Sequence, residues 1–302
     1  MEHDTGRHPE STEKLLPSVE FIQSLDGDQF FRPTWQPATL EQLQRVHTPT
    51  YVQQVRDFAA AGGGLIEADT VVSRRSFDVA RLAAGAVCDA VHRVTEGKDR
   101  QAFCLLRPPG HHALADQAMG FCLINNIAVG ARVATAELDY QRVLIVDWDV
   151  HHGNGTQDIF YAAGDVAFFS IHRDSFYPDT GSAHETGIGA GSGWTKNLPI
   201  PFGVPPRDQL AQFEDELNTF ADRFRPQLVL ISAGFDAHAD DPLGSLGLAT
   251  SDFAILTRVV RQIAERHAHG KIVSVLEGGY NPPVLAACVQ QHLLTLVGDS
   301  MF

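Results

Sequence analysis

The segment Val143-Leu-Ile-Val-Asp-Trp-Asp-Val-His-His-Gly-Asn-Gly155 decides the fold. Its apolar start has no polar alternation, the pattern of a strand covered on both faces of a parallel sheet. It ends in Asp147, Asp149 and His151, at i, i+2 and i+4, which leave extended backbone from one face. Titratable groups in a row at the end of a buried strand cost free energy unless a metal or a polar network satisfies them. Two carboxylates and an imidazole suit a divalent transition metal, most simply zinc with one coordination position open. A capped strand end with satisfied polar residues is the plainer alternative, and His152 directly after the triple weakens it.

Working outward, four more apolar runs read as strands: Ala102–Leu106, Val166–Ile171, Leu228–Ser232 and Ile272–Leu276. Between them lie helical patterns. Leu210, Phe213, Leu217, Phe220 and Phe224 recur at three and four behind a candidate cap, Asp208. Ser251 and Ser76 are candidate starts of two further helices, the second carrying Val79, Ala83, Ala86 and Ala90 at helical spacing. Alternating strands and helices predict an α/β fold on a largely parallel sheet. Ala61–Gly64 and Gly187–Gly193 read as loops, not phosphate cradles, because neither follows a strand and opens a helix. With no repeat and no linker, residues 1–302 are expected to form one domain.

Ligands of open parallel sheets bind outside the carboxyl ends of the strands. The chemically able residues cluster there: Arg107-Pro-Pro-Gly-His-His112, Asp147 to His151, Ser170-Ile-His172, Ala233-Gly-Phe-Asp236 and Glu277-Gly-Gly-Tyr280. The adjacent His111 and His112 suggest acid–base work beside a metal. Asp236 offers a third metal carboxylate, where a turn or cap Asp is the alternative. Tyr280, after two glycines, could donate to a developing oxyanion, where a surface Tyr is the alternative.

Composition narrows the class. Of the 302 residues 44% are hydrophobic and 20% charged, as in a soluble globular protein, and the formal net charge is −14. Such a chain, lacking a basic stripe, is expected to bind neither nucleic acid nor anionic membranes. No apolar run reaches the roughly 18 residues of a membrane span, and the charged N-terminus lacks a signal-peptide core. Cys88, Cys104, Cys122 and Cys288 show no CxxC spacing and read as reduced thiols of a cytoplasmic protein. Oligomeric state is not written in the sequence.

The segments Arg107-Pro-Pro-Gly-His-His-Ala113, Gly120-Phe-Cys-Leu-Ile-Asn-Asn126, Asp147-Trp-Asp-Val-His-His-Gly-Asn-Gly-Thr-Gln157, Ser232-Ala-Gly-Phe-Asp236 and Leu276-Glu-Gly-Gly-Tyr280 together resemble the zinc-dependent histone deacetylase family. The wording is closest to its class II branch and bacterial relatives, and the match runs from His8-Pro-Glu10 to the last helix. The resemblance implies an arginase-like α/β domain with a parallel eight-stranded sheet. It implies zinc held by Asp149, His151 and Asp236, with His112 as general base and acid. His111 would be its electrostatic partner, oriented by Asp147, and Asn154 would contact His112. Tyr280 would polarise the acyl carbonyl, and Gly120, Phe121, Tyr177 and Gly278 would line a tunnel for acyl-lysine or a small acyl-amine. A structural potassium ion would lie on the Ser170 hydroxyl and the backbone carbonyls of Asp147, Asp149, His151 and Ile171.

Departures from the pattern qualify the substrate. Leu243 stands where polyamine-preferring relatives carry Glu, which weakens a polyamine reading; Tyr177 replaces a common Phe. Tyr280 is kept where a weakly active subgroup has His, so turnover is expected. Relatives usually have one more strand ahead of the segment matching His3–Glu10. Two other readings remain. Asp236-Ala-His-Ala-Asp240 spells the DAHxD string of binuclear manganese ureohydrolases, although the 147–151 segment lacks their acidic cluster. A silent acyl-lysine-binding module is the non-enzymatic one.

Overall fold

The computed structural model describes residues 2–27 and 30–298. Eight strands occur there: β1 Gly63–Glu67, β2 Thr70–Ser73, β3 Gln101–Cys104, β4 Val143–Asp147, β5 Val166–Arg173, β6 Thr195–Ile200, β7 Leu228–Ala233 and β8 Ile272–Leu276. The helices are α1 Leu16–Ser24, α2 Leu40–Gln44, α3 Pro49–Ala60, α4 Ser76–Thr95, α5 Asn126–Ala136, α6 Asn154–Phe160, α7 Pro206–Phe224, α8 Thr250–His267 and α9 Pro282–Val297. None is long and apolar enough to cross a membrane.

Six strands form one parallel sheet in the order β3-β8-β7-β4-β5-β6. Every residue of β4 is buried. Val143 and Ile145 pack with α4 and α5 on one face, while Leu144 and Val146 pack with α7, α8 and α9 on the other. This two-residue alternation between two apolar layers is what removes polar alternation from the sequence.

The eight-stranded parallel sheet expected from the resemblance is thus corrected: β1 and β2 form a separate antiparallel hairpin, leaving six strands in the sheet among the described residues. Glycine makes the hairpin. Gly63 has φ +80, and a Cβ there would meet the Val72 carbonyl oxygen at 2.0 Å. The stretch read as a loop therefore enters a strand. Among the described residues edge strand β6 pairs only with β5, and its polar first half with Pro199 hides it from apolar-run reading; an edge tolerates proline.

Helix starts differ in detail. Asp208 lies in the first turn of α7, not at its cap. α8 begins at Thr250, and the Asp252 carboxylate accepts the Ala249 N–H at 2.8 Å. Ser76 opens α4, its hydroxyl accepting the Ser73 N–H at 2.7 Å. The four cysteines are free and buried.

Two core histidines give the fold a pH dependence. His47 donates to the Leu114 carbonyl and accepts the Asn125 N–H, and His292 sits between the hydroxyls of Thr257 and Ser274. Burial pushes His47 down to about 4 and His292 down to about 3. For a base depressed on folding, stability is complete above the unfolded value and is lost as pH falls from about 6.5 toward the folded one. At pH 5 each should cost roughly 2 kcal/mol relative to pH 7. Chemical unfolding across this range should show the loss, and His47→Gln with His292→Gln should reduce it; equal slopes for parent and double variant would contradict the assignment.

Candidate active site

The carboxyl ends of β3, β4, β5, β7 and β8 deliver five loops to one edge of the sheet. In register, Asp147 lies opposite Ser170 on β5 and Ser232 on β7. Beyond β4 the chain turns, and ligand atoms of Asp149, His151 and Asp236 converge within 4.8 Å of one another. His151 Nδ1 lies 3.0 Å from Asp149 Oδ1 and 3.2 Å from Asp236 Oδ2. The second approach is an ion-pair contact and not an aligned hydrogen bond, so Asp236 Oδ2 is buried without a hydrogen-bond partner. The other carboxylate oxygens are fixed: Asp149 Oδ2 accepts the Gly278 N–H at 2.8 Å and Asp236 Oδ1 the Val150 N–H at 2.9 Å. A Cβ on Gly278 would stand 2.1 Å from Asp236 Oδ2 and 2.5 Å from Asp149 Oδ2. Only glycine leaves that space open.

The charges say what fits there. Burial pulls His151 down, but Asp149 and Asp236 overcome it and raise the imidazole to about 10. Burial and the Asp149 charge raise Asp236 to about 7. Burial also opposes the Asp149 charge, yet His111 and His151 hold it well below the ordinary carboxylate range. The protein's own groups thus leave this cluster short of positive charge, which a proton or a metal ion can supply. A partnerless buried carboxylate oxygen beside an imidazole and a second carboxylate fits a divalent ion.

The two adjacent histidines have opposite partners. His111 Nδ1 donates to Asp147 Oδ2 at 3.0 Å. Burial lowers His111, but Asp147 and Asp149 prevail and raise it to about 10. His112 Nδ1 instead donates to the neutral amide oxygen of Asn154, the first residue of α6, at 2.7 Å. Burial, then the His111 and His151 charges, keep His112 well below its ordinary value. His112 is therefore neutral and keeps a free lone pair on Nε2, while His111 is the cation of the pair.

Tyr280 closes the opposite side. Its N–H donates to Asp241 Oδ2 at 2.7 Å, and Lys14 Nζ lies 4.8 Å from its ring centre. Burial and the charges of Asp236 and Asp149 push the phenol well above 10, so it stays a donor. The Phe121 ring stands edge-on to Tyr280 at 5.9 Å, and Tyr177 edge-on to His112 at 5.2 Å. Gly120, at φ +55, presses on the His112 imidazole, where a Cβ would stand 2.4 Å from Cδ2. Ser170 and Ile171 lie in the buried part of β5 that ends at His172; the Ser170 hydroxyl donates to His172 Nδ1 at 2.8 Å, since His172 Nε2 donates to the Gly181 carbonyl.

Every site residue expected from the sequence thus falls at this edge. Others were missed. Phe176 stacks on His151 with centroids 5.2 Å apart, and the Arg173 guanidinium lies over the Phe176 ring at 4.3 Å; the Phe176-Tyr177 aromatic pair was its one signal. Asp241, which anchors Tyr280, gave a weak signal beside the DAHxD string. Lys14, buried and paired with Glu10, gave none.

Residues 8–296 match the histone deacetylase domain model. The chain is 40% identical over 284 residues to a histone deacetylase-like amidohydrolase of Pseudomonas aeruginosa, covering 93% of this chain and 74% of that one. It is 36% identical to a probable deacetylase of Archaeoglobus fulgidus, covering 91% and 77%. The crystal structure of the HDA15 HD domain superposes with a TM-score of 0.90 at 37% identity, covering 99% of this chain and 87% of that one. Matched along nearly its whole length by sequence and by fold, the chain belongs to the histone deacetylase family.

Proposed function

We propose that the chain is a zinc-dependent amidohydrolase that removes acetyl or related acyl groups from lysine side chains or small amines. The observation that carries this reading is the convergence of Asp149, His151 and the partnerless Asp236 oxygen, faced by a neutral His112 and a protonated Tyr280. Asp149, His151 and Asp236 would hold the zinc. Bound there, zinc supplies a Lewis acid for the acyl carbonyl and brings the pKa of a water toward about 7.

The residues do the rest. His112 Nε2 takes the proton of the attacking water while Asn154 holds Nδ1–H, so the ring cannot turn to offer the wrong nitrogen. Protonated His111, held by Asp147, places positive charge beside the reacting centre. Tyr280 donates to the carbonyl oxygen as it gains negative charge. His112 then returns the proton to the departing nitrogen as the C–N bond breaks, leaving a carboxylate and a free amine. Gly120, Phe121 and Tyr177 form walls that admit an extended acyl-amine. A potassium ion beside this site is supported by Ser170: its proton is committed to His172, so its lone pairs remain for a cation.

The binuclear alternative finds less support. His238 of the DAHxD string accepts the Asp240 N–H and faces Thr250, and Asp240 points to the exposed surface. The metal-capable group among the described residues is Asp149, His151 and Asp236. An assay on acetyl-lysine peptides and acetylated polyamines, with and without chelator, tests the reading. Chelator-sensitive release of acetate, faster from the peptide, is expected. Release of urea from guanidino substrates, or binding without turnover, would overturn it.

A further inference from the structure

Glu277 is buried to 1% exposure between Leu276 and Gly278, and the mechanism above gives it no part. Its Oε2 accepts two backbone donors from the loop after β3, the Gly110 N–H at 2.7 Å and the His111 N–H at 3.2 Å. Its Oε1 accepts the Ser232 hydroxyl of β7 at 3.1 Å. The backbone is tied as firmly: Glu277 N–H donates to Ala233, and Lys14 Nζ donates to the Glu277 carbonyl at 3.3 Å. One side chain thus joins the loop carrying His111 and His112 to the end of β7 and to the loop carrying Tyr280.

A buried carboxylate without three donors would be costly, and two buried N–H groups without an acceptor equally so. The bonds are therefore mutually required, and they fix the height of the histidine loop against the tyrosine loop. We propose that Glu277 is a positioning residue that sets the distance between the His112 base and the Tyr280 donor by acting as a hydrogen-bond acceptor of fixed reach. The inference rests on the proposed roles of His112 and Tyr280.

Reach and charge can be separated. Glu277→Gln keeps the length: its amide oxygen can accept from Gly110 and His111, and its NH2 can donate to Ser232. Glu277→Asp keeps the charge but withdraws the carboxylate by one methylene. Positioning predicts that Glu277→Gln stays within about 3-fold of the parent kcat. It predicts that Glu277→Asp falls about 10²-fold in kcat with KM and zinc content unchanged, since a misplacement of about 1 Å is enough for such a loss. The reverse order would make charge the operative property and overturn the proposal. So would equal losses, or losses that vanish when kcat is expressed per folded, zinc-loaded molecule. If the parent shows no deacylase turnover, the proposed function fails, but the geometry can still be read from ¹⁵N-histidine NMR. His111 and His112 ring shifts should match the parent in Glu277→Gln and move in Glu277→Asp; unmoved shifts in both variants would refute positioning.

Discussion

Tyr280→Phe is expected to lower kcat by about 10² to 10³, or about 2.7–4 kcal/mol, the usual cost of removing one oxyanion donor. The effect should be large because the phenol is buried and its proton affinity is raised by the neighbouring carboxylates, so the donor is always protonated and poorly replaced by water. The loss should fall on kcat with little change in KM, and zinc content should be unchanged, since the phenol is not among the converging ligand atoms. A trifluoroacetyl-lysine substrate should recover part of the rate, because its carbonyl needs less polarisation. Equal fractional losses for acetyl and trifluoroacetyl substrates, together with a lowered melting temperature, would show a packing residue instead.

His112→Ala should lose about 10² to 10⁴ in kcat while keeping its metal, the range expected for a lost general acid–base group. His111→Ala should retain more activity, since its proposed contribution is a charge held by Asp147 and not a proton in transit. The difference follows from the two partners: an amide oxygen leaves His112 neutral, and a carboxylate makes His111 a cation. Steady-state rates on one acetyl-lysine substrate decide it. Greater loss at His111 than at His112 would exchange the two roles.

Much of this was legible in the sequence because the strands that position the site are also the most buried. β4, β7 and β8 are apolar at nearly every position, and β8 has the predicted bounds. Their ends carry the polar residues, so Asp149, His151, Asp236 and Tyr280 could be placed together before any geometry. What escaped was written in polar or small residues. β6 opens with three polar residues, Thr195, Lys196 and Asn197, and carries Pro199 at the sheet edge, and β1 begins in glycines, of which Gly63 closely approaches Val72. Supporting residues escaped for another reason. Glu277, Asp241 and Lys14 reach the site through contacts across long sequence separations, and no spacing rule reports a hydrogen bond from the Gly110 N–H to Glu277.

The central claim, one catalytic zinc on Asp149, His151 and Asp236, is tested most directly by elemental analysis of the parent and of Asp149→Ala, paired with turnover of the same samples. Asp149 would supply a ligand oxygen, and its Oδ2 is the acceptor that anchors Gly278 at the Tyr280 loop. A site of three protein ligands that loses one cannot hold the ion well. The parent should carry one zinc per chain and hydrolyse acetyl-lysine, and Asp149→Ala should have neither metal nor activity. Stoichiometric zinc in an active Asp149→Ala protein would contradict the account.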